Sequence, residues 1–492
     1  MGEPERAAAD SNQCRHALLA AARRFRGKLE ADQILPANMR LALFSGVPKI
    51  GNGDVWGGTG DVAANVDMAR RFKVRNPGCE VTFIVVDHSI PEFQRRAGKF
   101  PLLESSTALV ARMLPSLDPA RTDTCQNVDG VNFYFPSMPL LQRDGFGGLE
   151  RSPSTLSLPS ADIALTFNDN RSRSAAILEL AAPLRFIIDE PGRGHEPLRR
   201  SDSRDQVAHE HRLNSGVNHL GYYVNPVSAD RLGSRLSRLE VLAAVTTQTG
   251  HQLDVDMAHA FVYCGREWLD FDYFSLLDRA AARLGKPIDV FVAGRANAPQ
   301  SLSYARIINL GHIDHALFEQ LVWLSDFPPI VTGDVSLSQA LETSVRGRGF
   351  IYSRPSWKSA GMADLYQFIL DRYAPRAGDK SSRNDFAAKL RACLWAGGDD
   401  VAAGGGGVDL IEAICDEKFQ SSFAATLAGS LCEISMCKNL ELFIIWILLA
   451  QEIFGSATPP QALEDTVFRA IRQSSSLPDF IQKMEDLLKS MA

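Results

Sequence analysis

PPIVTGDVSLSQALETSVRGRGFIYS, residues 328–353, is the stretch on which the fold turns. A short apolar run over 329–332 reads as a strand, Gly333-Asp334 breaks it and opens a helix near Ser336, and 349–353 reads as the next strand. The same alternation extends upstream, with strands expected at 258–264, 288–293 and 305–310 and helices at 268–284 and 316–324. Five short strands interleaved with helices describe a Rossmann-like half with a parallel sheet.

Further out, the N-terminal part repeats the pattern. A strand is expected at 41–45, then a glycine-dense loop over 46–61, then a helix over 62–75 carrying Val62, Val66, Ala69 and Phe72 along one side. The run 81–87 reads as a buried parallel strand, completing a βαβ unit. Further strands are expected at 162–167 and 186–189, with a helix over 174–182 between them. Residues 5–31 read as a helix, 88–160 as less regular, and the polar stretch 190–216 as a loop or lid. From about 360 onward the pattern is almost wholly helical, interrupted at 397–407.

Composition bounds what such a chain does. It has 492 residues, room for about two to four domains. Fifty-two basic against 58 acidic residues give a net charge of −6, and 45% of residues are apolar. That excludes a disordered chain, a fibre and a general binder of nucleic acid polymers. Eight scattered cysteines without a C-x-x-C pair point to reduced thiols and a cytoplasmic setting. The N-terminus lacks an apolar signal core. The longest apolar run, 440–450, is broken by Glu441 and is too short to span a bilayer, so a buried helix is expected there and no membrane span. No GxSxG, HExxH or Walker pattern occurs.

Two glycine loops carry the candidate chemistry. In Gly57-Gly58-Thr59-Gly60-Asp61 the absence of Cβ atoms lets a ligand approach the backbone, and the helix that follows offers free N–H groups. Asp61 reads either as an N-cap or as a carboxylate able to deprotonate a nucleophile, and the two are compatible. In Thr332-Gly333-Asp334-Val335-Ser336 backbone amides and the Ser336 hydroxyl suit a diphosphate, while Asp334 suits a ribose hydroxyl, backbone amides or an acceptor. Simple capping is again the alternative. Tyr222 and Tyr223, between the halves, are candidates for base stacking, whereas Trp268, Phe271, Tyr273 and Phe274 have the spacing of a core face. His195, His209, His211 and His219 read as a solvated loop rather than a metal site.

Residues 314–356 resemble the second half of the elongation factor P arginine rhamnosyltransferases. Phe318, Leu321, Trp323 and Asp326 fall into that family's Tyr-Asp-x-Leu-Leu-Trp-x-x-Asp stretch; Asp334 and Ser336 stand for the Glu and Ser of its Arg-Gly-Glu-Asp-Ser. Gly60-Asp61-Val62 matches its Gly-Asp-Ile, followed by Ala69-Arg70, and Phe261-Val262-Tyr263 is similar to its Phe-x-Tyr strand. Gly57, Thr332 and Val335 depart from the motifs, with Arg354 available to restore a positive charge.

The resemblance implies two facing Rossmann-like domains (GT-B) with a helical C-terminal extension. The expected division is an acceptor domain at 1–225, a nucleotide-sugar domain at 226–358 and the extension at 359–492. It further implies an inverting, metal-independent glycosyltransferase without a cofactor, using a nucleoside diphosphate sugar and a protein side chain or small molecule as acceptor. Asp61 would be the general base. Gly58, Thr59, Gly60, Gly333, Asp334, Val335, Ser336, Arg354 and Tyr223 would hold the donor. The extension past 360 makes elongation factor P an unexpected acceptor. The alternatives are a non-catalytic binding protein of the same layout and a nucleotide-sugar epimerase or hydrolase.

Overall fold

The computed structural model describes residues 20, 34–44, 49–51, 54–56, 59–85, 106–136, 141–143, 149–151, 158–167, 182, 184–189, 200–201, 209–224, 236–264, 273–294, 302–311, 313, 315–353, 359–374, 378–395, 410–454 and 461–490. Two compact units emerge: Met1–Asp189 with Glu196–Ser215 and Cys432–Ala492, and Glu190–His195 with Gly216–Leu431.

The first unit is built on an eight-stranded sheet: β1 (Arg40–Phe44), β2 (Glu80–Ile84), β3 (Cys125–Val128), β4 (Val131–Tyr134), β5 (Ile163–Phe167), β6 (Leu184–Asp189), β7 (Arg200–Ser201) and β8 (His209–Asn214). Their spatial order is β7-β8-β6-β5-β1-β2-β4-β3. The edge strands β7 and β3 pair antiparallel and the inner six are parallel. Numbered among themselves, those six run 3-2-1-4-5-6, the doubly wound order. Parallel strands are covered on both faces, and Leu41–Phe44, Val81 and Phe83 are accordingly buried.

Helix α1 (Thr59–Arg75) follows β1. Val62, Val66, Ala69 and Phe72 are buried as the helical spacing requires. A second helix, α2 (Ser106–Met113), and the β3–β4 hairpin occupy the stretch read as irregular. The hairpin closes on Asp129-Gly130 with φ of 53° and 81°, a two-residue turn that an Asp-Gly pair between apolar runs announces. The polar 190–216 segment is likewise corrected: 209–214 is a strand, hydrogen-bonded in parallel to β6 in the register Leu184↔His209. Its alternation of charged residues hides a strand from any apolar-run criterion. The expected helices at 5–31 and 174–182 lie outside the described residues, apart from residue 20, which is helical, and residue 182, which is not.

The second unit has an all-parallel sheet: β9 (Ala258–Cys264), β10 (Ile288–Gly294), β11 (Ala305–Gly311), β12 (Ile330–Val331) and β13 (Ile351–Tyr352). The order is β11-β10-β9-β12-β13, again 3-2-1-4-5. Three helices flank it: α3 (Arg238–Thr249), α4 (Tyr273–Leu284) and α5 (His315–Leu324). The first starts on a Ser237/Glu240 capping box and stops at Gly250, whose φ of 74° is cheap only for glycine. The apolar faces of α3 and α5 (Val241, Leu242, Val245, Leu317, Leu321) close over Phe261, Phe291 and Ile308 of the sheet. Helix α6 (Asp334–Glu342) follows β12.

The C-terminal helices are divided between the units. Helices α7 (Ser359–Tyr373), α8 (Lys380–Leu394), α9 (Leu410–Cys415) and α10 (Glu417–Ala428) belong to the second unit, and α11 (Met436–Phe454), α12 (Gln461–Gln473) and α13 (Leu477–Ser490) to the first. Glu441, the charge that interrupts the longest apolar run, is fully buried on α11 and ties it to the end of α1. It accepts from Arg75 Nε at 2.8 Å and from Asn76 Nδ2 at 2.7 Å. No helix among the described residues is long and apolar enough to cross a membrane.

Candidate functional site

In an open α/β sheet ligands bind at the carboxyl ends of the strands, where the strand order reverses. In the second unit that point lies between β9 and β12, and the chain leaving β12 is Thr332-Gly333-Asp334, the loop picked out from sequence. Two residues suffice to pass from strand to helix because Gly333 adopts φ 90°, ψ 161°, a conformation essentially reserved for glycine. The start of α6 has no side-chain cap hydrogen bond, and a helix start is where backbone amides and the helix dipole favour an anion. Two neighbouring strands also end on left-handed glycines, Gly294 with φ 95° and Gly311 with φ 63°.

Gly333, Asp334 and Val335 are partly exposed, whereas Ser336 is buried. The Ser336 hydroxyl donates to the carbonyls of Thr332 and Gly333, the latter at 3.1 Å. Its proton thus holds the turn. Tyr223 is buried, its ring already covered by protein rather than open for a base. Its amide donates to Ser338 Oγ at 3.1 Å, and Ser338 donates to the Asp334 carbonyl at 2.8 Å, pinning residues 222–223 against α6.

In the first unit the order reverses between β1 and β5. The other glycine loop leads from β1 to α1, and Thr59, Gly60 and Asp61 form the first turn of that helix. Gly58 lies outside the described residues, as does Arg354. One turn beyond Asp61, on the same helical face, stands Asn65, fully buried with neither amide atom hydrogen-bonded. A carboxamide inside an otherwise apolar helix pattern is the signal that points to it, and sequence reading passed over it.

Solved structures similar to this chain include glycosyltransferases. One, on EarP-mediated arginine glycosylation of translation elongation factor EF-P, is 14% identical with a TM-score of 0.38, covering 83% of this chain and 98% of that one. The glycosyltransferase SnogD from Streptomyces nogalater is 12% identical with a TM-score of 0.38, covering 83% of this chain and all of that one. A UDP-forming alpha,alpha-trehalose-phosphate synthase from Burkholderia vietnamiensis is 10% identical with a TM-score of 0.40, covering 86% and 99%. No family profile and no curated protein matches the sequence. Likeness at this level concerns the fold, and what the site does rests on its own residues.

The residues that carry the family resemblance around 318–326 have structural work to do. Phe318 packs edge-on against Phe261 and Tyr263, with ring centroids 5.1 Å apart in each case, and Trp323 is buried. Asp326 accepts from Arg238 Nη2 at 2.8 Å and from the His259 amide at 3.0 Å. Burial works against its charge, but the bonds from His259 and Arg238 win and hold the carboxyl well below the ordinary range. This cluster sits at the amino end of β9, opposite the ligand edge. Tyr273 and Phe274 are core, while His251, Asp254 and Asp256 are exposed. Among the described residues no three His, Cys, Asp or Glu side chains come together as a metal site.

Proposed function

We propose that the protein is a glycosyltransferase that moves a sugar from a nucleoside diphosphate sugar to a protein side chain or a small molecule, with inversion, without metal and in the cytoplasm. The observation that carries this reading is that both glycine loops, chosen from sequence, leave strands bordering the switch points of two separate doubly wound sheets.

In this mechanism Asp61 takes the proton from the acceptor heteroatom as that atom attacks the anomeric carbon. The bond from that carbon to the diphosphate oxygen breaks, and the electron pair leaves with the nucleoside diphosphate. Backbone amides at Asp334, Val335 and Ser336, aided by the positive end of α6, stabilise the departing charge. Arg354 adds a positive charge, and Gly58, Thr59 and Gly60 contact the donor, the two glycines letting it approach the backbone at the start of α1. The Asp334 carboxylate accepts from donor hydroxyls.

A thermal-shift and turnover screen with UDP-, TDP- and GDP-sugars tests the proposal. Stabilisation accompanied by slow hydrolysis in the absence of acceptor is expected. No response to any nucleotide points to a binding protein without catalysis, and release of an epimerised nucleotide sugar points to an epimerase.

A further inference from the structure

Tyr222 stands at the ligand edge of the second sheet with nothing to bond. It is 1% exposed, and its hydroxyl has no hydrogen-bond partner. Its place is well determined by its neighbours. Gly216 and Gly221 pair across a tight turn, and the next amide but one, that of Tyr223, is fastened to Ser338 on α6. Tyr222 is thereby held next to the first turn of that helix. Burial first, and then the charge of Asp334 with Tyr352 and Asp364 behind it, push the phenol's pKa well above the usual value. The hydroxyl therefore keeps its proton at physiological pH and is a donor in want of an acceptor. An unmet buried donor is unfavourable, and one standing beside a candidate ligand site calls for an explanation.

No ligand atom reaches a hydroxyl so completely covered, but Asp334 at the uncapped start of α6 is partly exposed as a residue, while its Oδ1 is buried and, like the Tyr222 hydroxyl, has no hydrogen-bond partner. We propose that Tyr222 is a positioning residue which, when the donor binds, gives its hydrogen bond to Asp334 and fixes that carboxylate to accept from a vicinal diol. This rests on the glycosyltransferase reading and deepens it. The amides of α6 take the diphosphate, whereas the Tyr222–Asp334 pair selects a hydroxyl-bearing portion of the donor, either the ribose or the transferred sugar. If the ribose is the diol, ribonucleotides bind better than their 2′-deoxy counterparts.

The test measures dissociation constants of UDP, GDP, their 2′-deoxy forms and UDP-glucose for the full chain and for Tyr222→Phe, together with the Tm of each protein without ligand. The expected result is about a tenfold loss of affinity for the diol-bearing ligand in Tyr222→Phe, the scale of one hydrogen bond to a charged group, with an unliganded Tm equal to or above that of the parent. A purely structural tyrosine would lower that Tm. Loss of the ribose-over-deoxyribose preference identifies the ribose as the diol. Loss only of the gain of UDP-glucose over UDP identifies the sugar. Unchanged affinities in a parent that binds nucleotides overturn the role of Tyr222 and leave the donor site standing. A parent that binds none of these compounds overturns the donor reading itself.

Discussion

The two sheets share the order 3-2-1-4-5, and the candidate loops, which leave the first strand of one and the fourth of the other, reach their helices by opposite means. In the second unit β12 passes to α6 through Thr332 and Gly333 alone, and a buried serine turned back on two carbonyls stiffens the turn. In the first unit residues 45–58 intervene between β1 and α1, with a short antiparallel pairing of Lys49–Gly51 and Asp54–Trp56 inside them. A two-residue turn fixes backbone amides and tolerates no change of shape. A long connection places one helix start while leaving the surface around it open to variation. In the proposed reaction the first arrangement suits the invariant diphosphate and the second suits an acceptor.

That division predicts different kinetics for the two acidic residues at the helix starts. Asp61→Asn should lower turnover by about 10²–10⁴, the usual contribution of a positioned base, and leave nucleotide affinity unchanged. Asp334→Asn should do the reverse, weakening nucleotide-sugar binding while the rate at saturation holds. Paired measurement of kcat and of nucleotide Kd decides the matter. A binding defect at Asp61 with a rate defect at Asp334 would exchange the roles of the units.

The units are also held differently, and a stability experiment sharpens that contrast. The first closes its C-terminal helices onto α1 through a fully buried carboxylate, Glu441, bonded by Arg75 and Asn76. Burial raises the Glu441 pKa, and Arg75 pulls it part of the way back. Arg75→Met removes the cation and leaves the buried carboxylate with neutral partners such as the Asn76 amide, at a cost of about 3–5 kcal/mol. The sign with pH follows from the raised pKa: the folded state holds the proton more tightly than the unfolded, so the variant loses stability as pH rises above the ordinary glutamate value. Urea melts at pH 5 and pH 8 should therefore show the larger deficit at pH 8. Equal deficits would mean that the pair contributes packing rather than charge.

Much of the fold was legible because parallel strands buried on both faces write themselves as apolar runs, as in residues 258–264 and 288–293. Strand β8, HEHRLN, writes no such run, and only its pairing with β6 reveals it. The β3–β4 hairpin was announced by Asp129-Gly130 and went unread. The loops of the candidate site were visible through their glycines. The state of individual side chains was not: that Ser336 spends its proton on its own turn, that Tyr223 is covered, and that Tyr222 and Asn65 are buried without partners depend on contacts made by distant segments. The C-terminal helices followed the expected pattern, but their division between the units depends on ion pairs such as Arg75–Glu441, whose partners are hundreds of residues apart in sequence.

The smallest effect separates a glycine needed for shape from one needed for the site. Gly333 and Gly250 both have positive φ, 90° and 74°, and each opens into free space, with only Ser336 Oγ at 3.8 Å from a Cβ added at 333 and nothing within 4 Å at 250. Substitution by alanine therefore tests backbone conformation rather than crowding. Gly250 ends α3 in the ordinary left-handed region, whereas Gly333, with ψ of 161°, lies where alanine is strongly disfavoured. Gly333→Ala should cost about 1–3 kcal/mol, and Gly250→Ala about 1–2 kcal/mol. Only the first should also diminish stabilisation by nucleotide, because relaxing the strained turn rotates the first-turn amides of α6 away from the diphosphate. Equal nucleotide responses in the two variants would show that the tight turn sets stability alone, and the contrast between a rigid donor side and an adaptable acceptor side would then rest on Asp61 and Asp334.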